Sequence, residues 1–159
     1  IMQSMASFVA QNVGAAKEDR AISGMRFGMI FGGAIGIFIG LGVFFFGDVI
    51  SSLFTSDAAV IARSFEFLRG FAPEAVVTSI LFSFMGYFNG HSKSFFVMIQ
   101  SLAQSFLIRL PMSYIMSIQP NASLFYIGLA APTATCFGIL LCFLYYRKTV
   151  KALRQEGTL

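Results

Sequence analysis

One uncharged stretch, residues 27–46, limits most strongly what this chain can fold into. It runs for twenty residues without Asp, Glu, Lys or Arg and consists mainly of Gly, Ile and Phe. At a rise of about 1.5 Å per residue, a helix of this length covers about 30 Å, the thickness of the hydrocarbon core of a bilayer. The stretch is therefore predicted to be a transmembrane helix.

Three more stretches are long and apolar enough to cross a membrane as helices. Residues 124–146 carry no charge. Residues 70–88 contain one acid, Glu74, and residues 94–118 contain one base, Arg109. Only 11% of all residues are charged, compared with about 25% in soluble domains. The predicted fold class is all-α, a polytopic transmembrane helical bundle with four full spans.

The two ends of the chain differ from these spans. Residues 1–10 are apolar but too short to cross a bilayer, so we interpret them as the end of a fifth, truncated transmembrane helix. On this interpretation the N-terminal part of the same protein is missing and is an expected partner. Residues 11–26 are predicted to be a cytoplasmic loop and helix start, and residues 147–159 a polar cytoplasmic tail.

The distribution of basic residues predicts the orientation in the membrane. Eight of them lie in residues 11–26, in the 89–93 turn or in the tail, whereas only Arg63 and Arg69 lie on the other side. Cytoplasmic loops carry an excess of Lys and Arg. The chain is therefore predicted to be a multi-pass protein of the cell inner membrane, in contact with membrane lipid, with its C-terminus in the cytoplasm.

Composition and motifs exclude several function classes. The basic residues form no stripe with interleaved aromatics, so nucleic-acid binding is not expected. The sequence has no GxxxxGK[ST] phosphate loop, no Cys/His cluster with zinc spacing and no nucleophile with its base. We therefore expect neither enzymatic activity nor a cofactor or metal. Cys136 and Cys142 lie six apart on one predicted helix, where they cannot form a disulfide with each other.

Glycine recurs every four residues through the first span, at Gly24, Gly28, Gly32, Gly36 and Gly40. This spacing places the glycines on one helix face, where a neighbouring backbone can approach closely. Two interpretations remain open. The ladder is either a static packing surface or a smooth surface along which a helix slides during transport.

Glu74 is the only acid within a predicted span. A carboxylate in hydrocarbon is costly and usually faces a cavity or pairs with a base. Burial favours the protonated form, so Glu74 is a candidate to bind and release a coupling ion, H⁺ or Na⁺. The alternative is an interfacial acid near the outer end of its helix, paired with Arg69 or Arg63.

A polar stripe follows the span of residues 94–118, with Ser101, Ser105, Arg109 and Ser113 at four-residue spacing. Such a stripe must face the bundle interior or water, and we interpret it as the wall of a substrate path. The alternative is a structural Arg109 that snorkels outward or bonds carbonyls freed by Pro111. An aromatic and methionine lining would suit flat cations. The candidate path residues are Gln100, Ser101, Gln104, Ser105, Arg109, Phe84, Met85 and Tyr114, with Met98 in the same lining.

Two polar residues in the connections are predicted to have local roles. Asp57 is expected to cap the helix that leads into residues 70–88, because Asp at this position accepts a backbone N–H. His91 lies in a turn beside Lys93 and is expected to be solvated.

Residues 11–21, QNVGAAKEDRA, resemble the QN-x-GA segment of the multidrug and toxic compound extrusion (MATE) family. The matching residues are Gln11, Asn12, Gly14, Ala15 and Arg20, which we interpret as loop architecture. Further strings follow in the family's order: Leu53-Phe54-Thr55 with Asp57, Phe67-Leu68-Arg69 with Pro73, Tyr87-Phe88-Asn89-Gly90, Arg109-Leu110-Pro111 and Gly128-Leu129-Ala130. The resemblance covers nearly the whole chain.

The resemblance implies the end of helix 8 and helices 9 to 12 of a 12-helix, two-lobe transporter. It implies export of cationic or amphipathic, drug-like small molecules by H⁺ or Na⁺ antiport. Some family members carry a coupling carboxylate roughly a turn deeper than Glu74, near Thr78. Two alternatives remain open: a lipid-linked oligosaccharide flippase of the same superfamily, against which the single Arg109 argues, and a non-transporting membrane scaffold.

Overall fold

The computed structural model describes residues 1–120 and 122–155, and the regular structure of these residues is helical throughout. The helices are α1 (Met2–Gly14), α2 (Glu18–Ser52), α3 (Ala58–Phe71), α4 (Glu74–Gly90), α5 (Ser94–Ala103), a π-helical segment (Gln104–Arg109), α6 (Leu110–Ser117) and α7 (Leu124–Gln155). The all-α prediction is confirmed. Residues 156–159 of the predicted tail, and Asn121, lie outside the described residues.

By length and composition, the helices are compatible with three or four membrane crossings. Three of them, Glu18–Ser52, Ser94–Ser117 and Leu124–Lys151, are long and apolar enough to cross a membrane. The pair α3 and α4 also passes this test if it is counted as one span, although its two parts are bent by 43°. The helices extend beyond the predicted apolar stretches, because helix ends that carry charged side chains can project past the hydrocarbon.

The apolar stretch that contains Glu74 is broken at Pro73, where a proline is expected to kink or interrupt a helix. Pro73 lies between α3 and α4, where its missing N–H and its ring interrupt the helix. Asp57 caps α3 as predicted, and its side chain accepts a hydrogen bond from the backbone N–H of Ala59 at 2.8 Å. If α3 and α4 are counted as one bent span, Glu74 lies at the break within it. Glu74 is the first residue of α4, which agrees with its predicted place near the end of its helix, whereas residue 70, the predicted start of that helix, belongs to α3.

The predicted polar stripe along residues 94–118 is interrupted by a π-helical turn. Between α5 and α6, residues Gln104–Arg109 are π-helical, with hydrogen bonds from residue i to residue i+5. Pro111, which cannot donate a backbone hydrogen bond, follows directly. The π turn rotates every later side chain relative to an α-helix, so Ser101 and Ser113 do not share one straight stripe.

The glycine ladder of α2 lies at contacts with two other helices. Near its start, Gly24 and Gly28 face side chains of α1. Farther along, Gly36 and Gly40 face backbone at the start of α4 and just before it. A Cβ atom at Gly36 would lie only 2.5 Å from the carbonyl oxygen of Ala75. The absence of side chains is therefore what allows α2 and α4 to pack closely.

The apolar core lies towards one end of the bundle, where the residues around the α1–α2 turn, the second half of α4 and the middle of α7 meet. Its buried members are Val9, Ala21, Ile22, Met25, Leu81, Phe84, Tyr87, Phe88, Val97 and Cys142. At the other end, α3 packs on the start of α7, where Gly70 lies against the backbone of Phe125. The two ends correspond to the two sides assigned from the charges.

The last helix is longer than predicted. Pro132 lies inside α7 without ending it, and the helix continues to Gln155. The first part of the predicted polar tail, residues 147–155, is therefore an extension of the last span and not a separate segment.

Candidate functional site at the break between α3 and α4

Glu74 is a buried carboxylate that begins α4 directly after the helix break. Its side chain is only 12% exposed. Its Oε1 atom accepts a hydrogen bond from Thr135 Oγ1 at 2.9 Å and another from Arg109 Nη2 at 3.4 Å. Its Oε2 atom is buried and has no hydrogen-bond partner among the described residues. The carboxylate thus has one oxygen with two hydrogen-bond partners and one buried oxygen with none among the described residues.

Three separate helical segments build this site. Thr135 lies on α7, one turn after Pro132, and is itself buried. Arg109 is the last residue of the π-helical segment, and its side chain is 43% exposed. The ion pair therefore joins a buried acid to a base that reaches in from a partly open position. Because water screens the exposed partner, the pair is weaker than a fully buried one.

The predicted alternative partners of Glu74 are wrong. Arg63 pairs instead with Glu66 at 3.9 Å, one turn along α3. The guanidinium of Arg69 lies over the ring of Phe44, 4.7 Å from its centroid. The helix break explains the difference, because the bases of α3 and the first residue of α4 do not continue one helix face.

A second polar feature lies between α5 and α7. Gln100 is 2% exposed and donates a hydrogen bond from Nε2 to Gln104 Oε1 at 2.7 Å. The Oε1 atom of Gln100 is buried without a partner among the described residues. A Cβ atom at Gly138 would lie 2.5 Å from Gln100 Nε2, so the glutamine pair fits only because α7 has glycine there.

The remaining candidate path residues do not share one surface with these groups. Phe84 is 5% exposed and packs in the core against Phe88 and Tyr146. Tyr114, in contrast, is 67% exposed on α6. The half-buried candidates are Ser101, Ser105 and Met85. The structure therefore brings Arg109 to Glu74 but does not join all eight candidates in one wall, and their role in a substrate path stays a prediction.

A buried polar cluster lies at the opposite end of α4, and sequence analysis missed it. Glu18 Oε1 accepts a 2.6 Å hydrogen bond from the hydroxyl of Tyr87, and Glu18 Oε2 lies 3.0 Å from His91 Nε2. The prediction that His91 is solvated, which was based on its position in a turn, is therefore wrong. A local signal existed, because Glu18 has the helical spacing of the buried Ile22 and Met25.

The loop motif forms the turn between α1 and α2. The Asn12 side chain donates to the carbonyl of Phe8 at 2.8 Å, and the Asn12 carbonyl accepts from the N–H of Lys17 at 2.9 Å. Gln11, Gly14, Ala15 and Arg20 are exposed. These contacts are local, which agrees with the interpretation of the motif as loop architecture.

Comparisons with known proteins identify similar sequences and folds. The sequence model of the family described as MatE matches residues 1–115. The fold is similar to the solved structure of an inward-facing multidrug resistance MATE family transporter of the MOP superfamily, with a TM-score of 0.87 and 15% identity over 97% of this chain. The chain spans 36% of the length of that transporter. A comparison with curated proteins finds no match.

Proposed function

Because this chain belongs to the MatE family, we propose that it forms the C-terminal part of a secondary transporter that exports cationic or amphipathic small molecules in exchange for H⁺ or Na⁺. The family and the long apolar helices indicate that the chain is a membrane protein. The remaining helices of the transporter would be its main protein partner, since this chain spans 36% of the solved transporter.

One observation carries the proposal for ion coupling: the buried, unpartnered Oε2 atom of Glu74 at a helix break. Acids inside membrane spans are expensive and tend to mark ion pathways. In carriers built from repeats, interrupted helices supply the groups that bind substrates and coupling ions near the middle of the bilayer. Glu74 has both features.

The arrangement suggests how binding of an ion could exclude a substrate cation. With Glu74 ionised, its negative charge is balanced by Arg109. A proton on Oε2 would neutralise Glu74 and weaken its attraction to Arg109. A cationic substrate would compete for the ionised form of the same carboxylate. Exchange follows if the proton and the substrate bind in alternate conformations of the two lobes.

The proposed orientation has the C-terminus in the cytoplasm. The two turns and the α7 end that carry most of the basic residues lie on the same side of the bundle, as the contact between Glu18 and His91 illustrates. A cysteine introduced into the C-terminal tail of the protein would test this orientation in intact cells treated with a membrane-impermeant biotin reagent. We expect this cysteine to be labelled only after the cells are permeabilised. Labelling without permeabilisation would contradict the proposed orientation.

The transport proposal is tested with the full-length transporter in proteoliposomes, with export of a fluorescent cation measured under an imposed proton or sodium gradient. Glu74→Gln should lower gradient-driven export by roughly tenfold or more, because the carboxylate that binds the ion is gone. Glu66→Gln is the matched control, since Glu66 is a partly exposed acid on α3 that bonds Ser123. Export of the fluorescent cation by the Glu66→Gln variant should stay within about twofold of that by the wild type.

Four outcomes would contradict the proposal. Unchanged coupling in Glu74→Gln would exclude Glu74 as the coupling acid. Loss of export to the same extent in Glu66→Gln would indicate a general defect and not coupling. Absence of any flux in the wild type would favour a scaffold, whereas movement of a lipid-linked oligosaccharide in place of cations would favour the flippase alternative.

A further inference from the structure

Glu18 and His91 meet at the end of the bundle opposite Glu74, where Glu18 is the first residue of α2 and His91 directly follows α4. Their side chains are only 7% and 9% exposed, although both lie beside short polar turns. Glu18 also accepts the hydroxyl hydrogen of Tyr87 at 2.6 Å. The ring of His91 reaches back to its own helix, where Nδ1 lies 3.0 Å from the carbonyl oxygen of Tyr87.

The hydrogen-bond geometry determines how many protons this cluster holds. The Tyr87 carbonyl can only accept, so Nδ1 of His91 must carry a hydrogen. If Glu18 is ionised, Nε2 of His91 must also carry one, which makes the ring a cation. If the ring is neutral, Glu18 must be protonated and donate to Nε2. Either way the Glu18–His91 pair holds one proton more than a neutral histidine beside a carboxylate.

No other base competes for Glu18 among the described contacts. α1 contains no titratable side chain. α7 contributes Tyr146, which lies near both Glu18 and Arg26 of α2. On α4 the group that faces Glu18 is Tyr87. The other charged side chains nearby in the sequence are exposed; they are Lys17, Asp19, Arg20 and Lys93. His91 is thus the basic side chain in direct contact with Glu18 among the described residues.

The turns on both sides of the cluster are strained. Ala16, two residues before Glu18, has φ 55°, and Ser92, directly after His91, has φ 58°. Residues other than glycine seldom adopt this left-handed conformation, and it persists when surrounding contacts hold it. The contacts between Glu18, Tyr87 and His91 join these two turns, so their loss would free both.

We propose that Glu18 and His91 form a proton-binding site that fastens the α1–α2 turn to the end of α4. While the pair holds its proton, all of its hydrogen bonds are made. Loss of that proton leaves either the Tyr87 carbonyl or the Glu18 carboxylate facing a ring nitrogen without hydrogen, and the turn is released. The fastening is therefore present at lower pH and lost as pH rises. It does not depend on ion coupling at Glu74.

Glu18→Gln is the decisive variant because it removes the need for the extra proton. The amide can donate to Nε2 of a neutral His91 and still accept from Tyr87, so the turn should stay fastened at alkaline pH. Hydrogen–deuterium exchange of residues 11–21 in the lipid-reconstituted protein measures this, with residues 57–61 at the other end of the bundle as an internal control. At each pH the ratio of wild-type to variant exchange cancels the intrinsic pH dependence of amide exchange.

The expected ratio for residues 11–21 is close to one at low pH and rises to about fivefold to tenfold at alkaline pH, which corresponds to the loss of one hydrogen bond. The ratio for residues 57–61 should not change. Tyr87→Phe removes one hydrogen bond to Glu18 but leaves the proton shared by Glu18 and His91. It should therefore raise amide exchange of residues 11–21 at every pH and keep the dependence of that exchange on pH. A ratio independent of pH, or a transition that persists in Glu18→Gln, would overturn the proposal.

Discussion

Replacing Gly36 by alanine should weaken the contact between α2 and α4 more than the same replacement elsewhere on α2. A Cβ atom at Gly36 would lie 2.5 Å from the Ala75 carbonyl oxygen and 2.8 Å from the Cα atom of Val76. Both neighbours are backbone atoms, which cannot rotate away as the end of a side chain can. The two helices must therefore separate.

The size of the effect follows from these distances. Ordinary contacts begin at 3.4 Å, so α2 and α4 must move apart by roughly 1 Å at this point. A gap of that size removes a substantial part of the dispersion energy of the surrounding contacts. Overpacking of this kind typically costs about 1–3 kcal/mol. We expect the upper half of that range, since the clash is with backbone.

Gly33→Ala and Gly42→Ala are the matched controls, because a Cβ atom at either position would have no neighbour within 4 Å. All three variants gain the same helix propensity from alanine. The difference between Gly36→Ala and the controls therefore isolates the clash. Unfolding by increasing fractions of SDS in mixed micelles, followed by circular dichroism, measures the free energy of unfolding of each variant.

The reasoning fails if Gly36→Ala unfolds at the same SDS fraction as the two controls. That result would mean that α2 and α4 have room to adjust, or that they do not pack along the ladder. A loss of stability in all three variants would instead point to an effect of alanine on the helix itself.

Three further variants test local features. Asp57→Ala should cost about 1 kcal/mol through loss of the α3 cap, seen as faster hydrogen exchange of residues 58–61; unchanged exchange would contradict the cap. Ala16→Gly should raise the free energy of unfolding by up to about 1 kcal/mol, because glycine accepts φ 55° without strain; destabilisation would refute this. Gly138→Ala should cost about 1–3 kcal/mol by displacing Gln100 and Gln104, and SDS unfolding equal to that of Gly42→Ala would refute it.

Local chemistry was enough to predict the helical class, the apolar stretches, the glycine ladder and the Asp57 cap. Each of these depends on neighbours within a few residues or on a repeat along one helix. The hydropathy of a stretch depends only on the residues within it. Residues spaced four apart share a helix face because an α-helix has about 3.6 residues per turn. The family resemblance likewise rested on short strings in a fixed order.

The polar contacts depended on how the helices pack, and no local pattern encodes that. Glu74 contacts Arg109 and Thr135, which lie 35 and 61 residues away, and Glu18 contacts His91 at a separation of 73 residues. The partner of a buried acid is chosen by the rotation and tilt of whole helices. Here a bend of 43° and a π-helical turn alter both, so only the tertiary structure decided which charges meet.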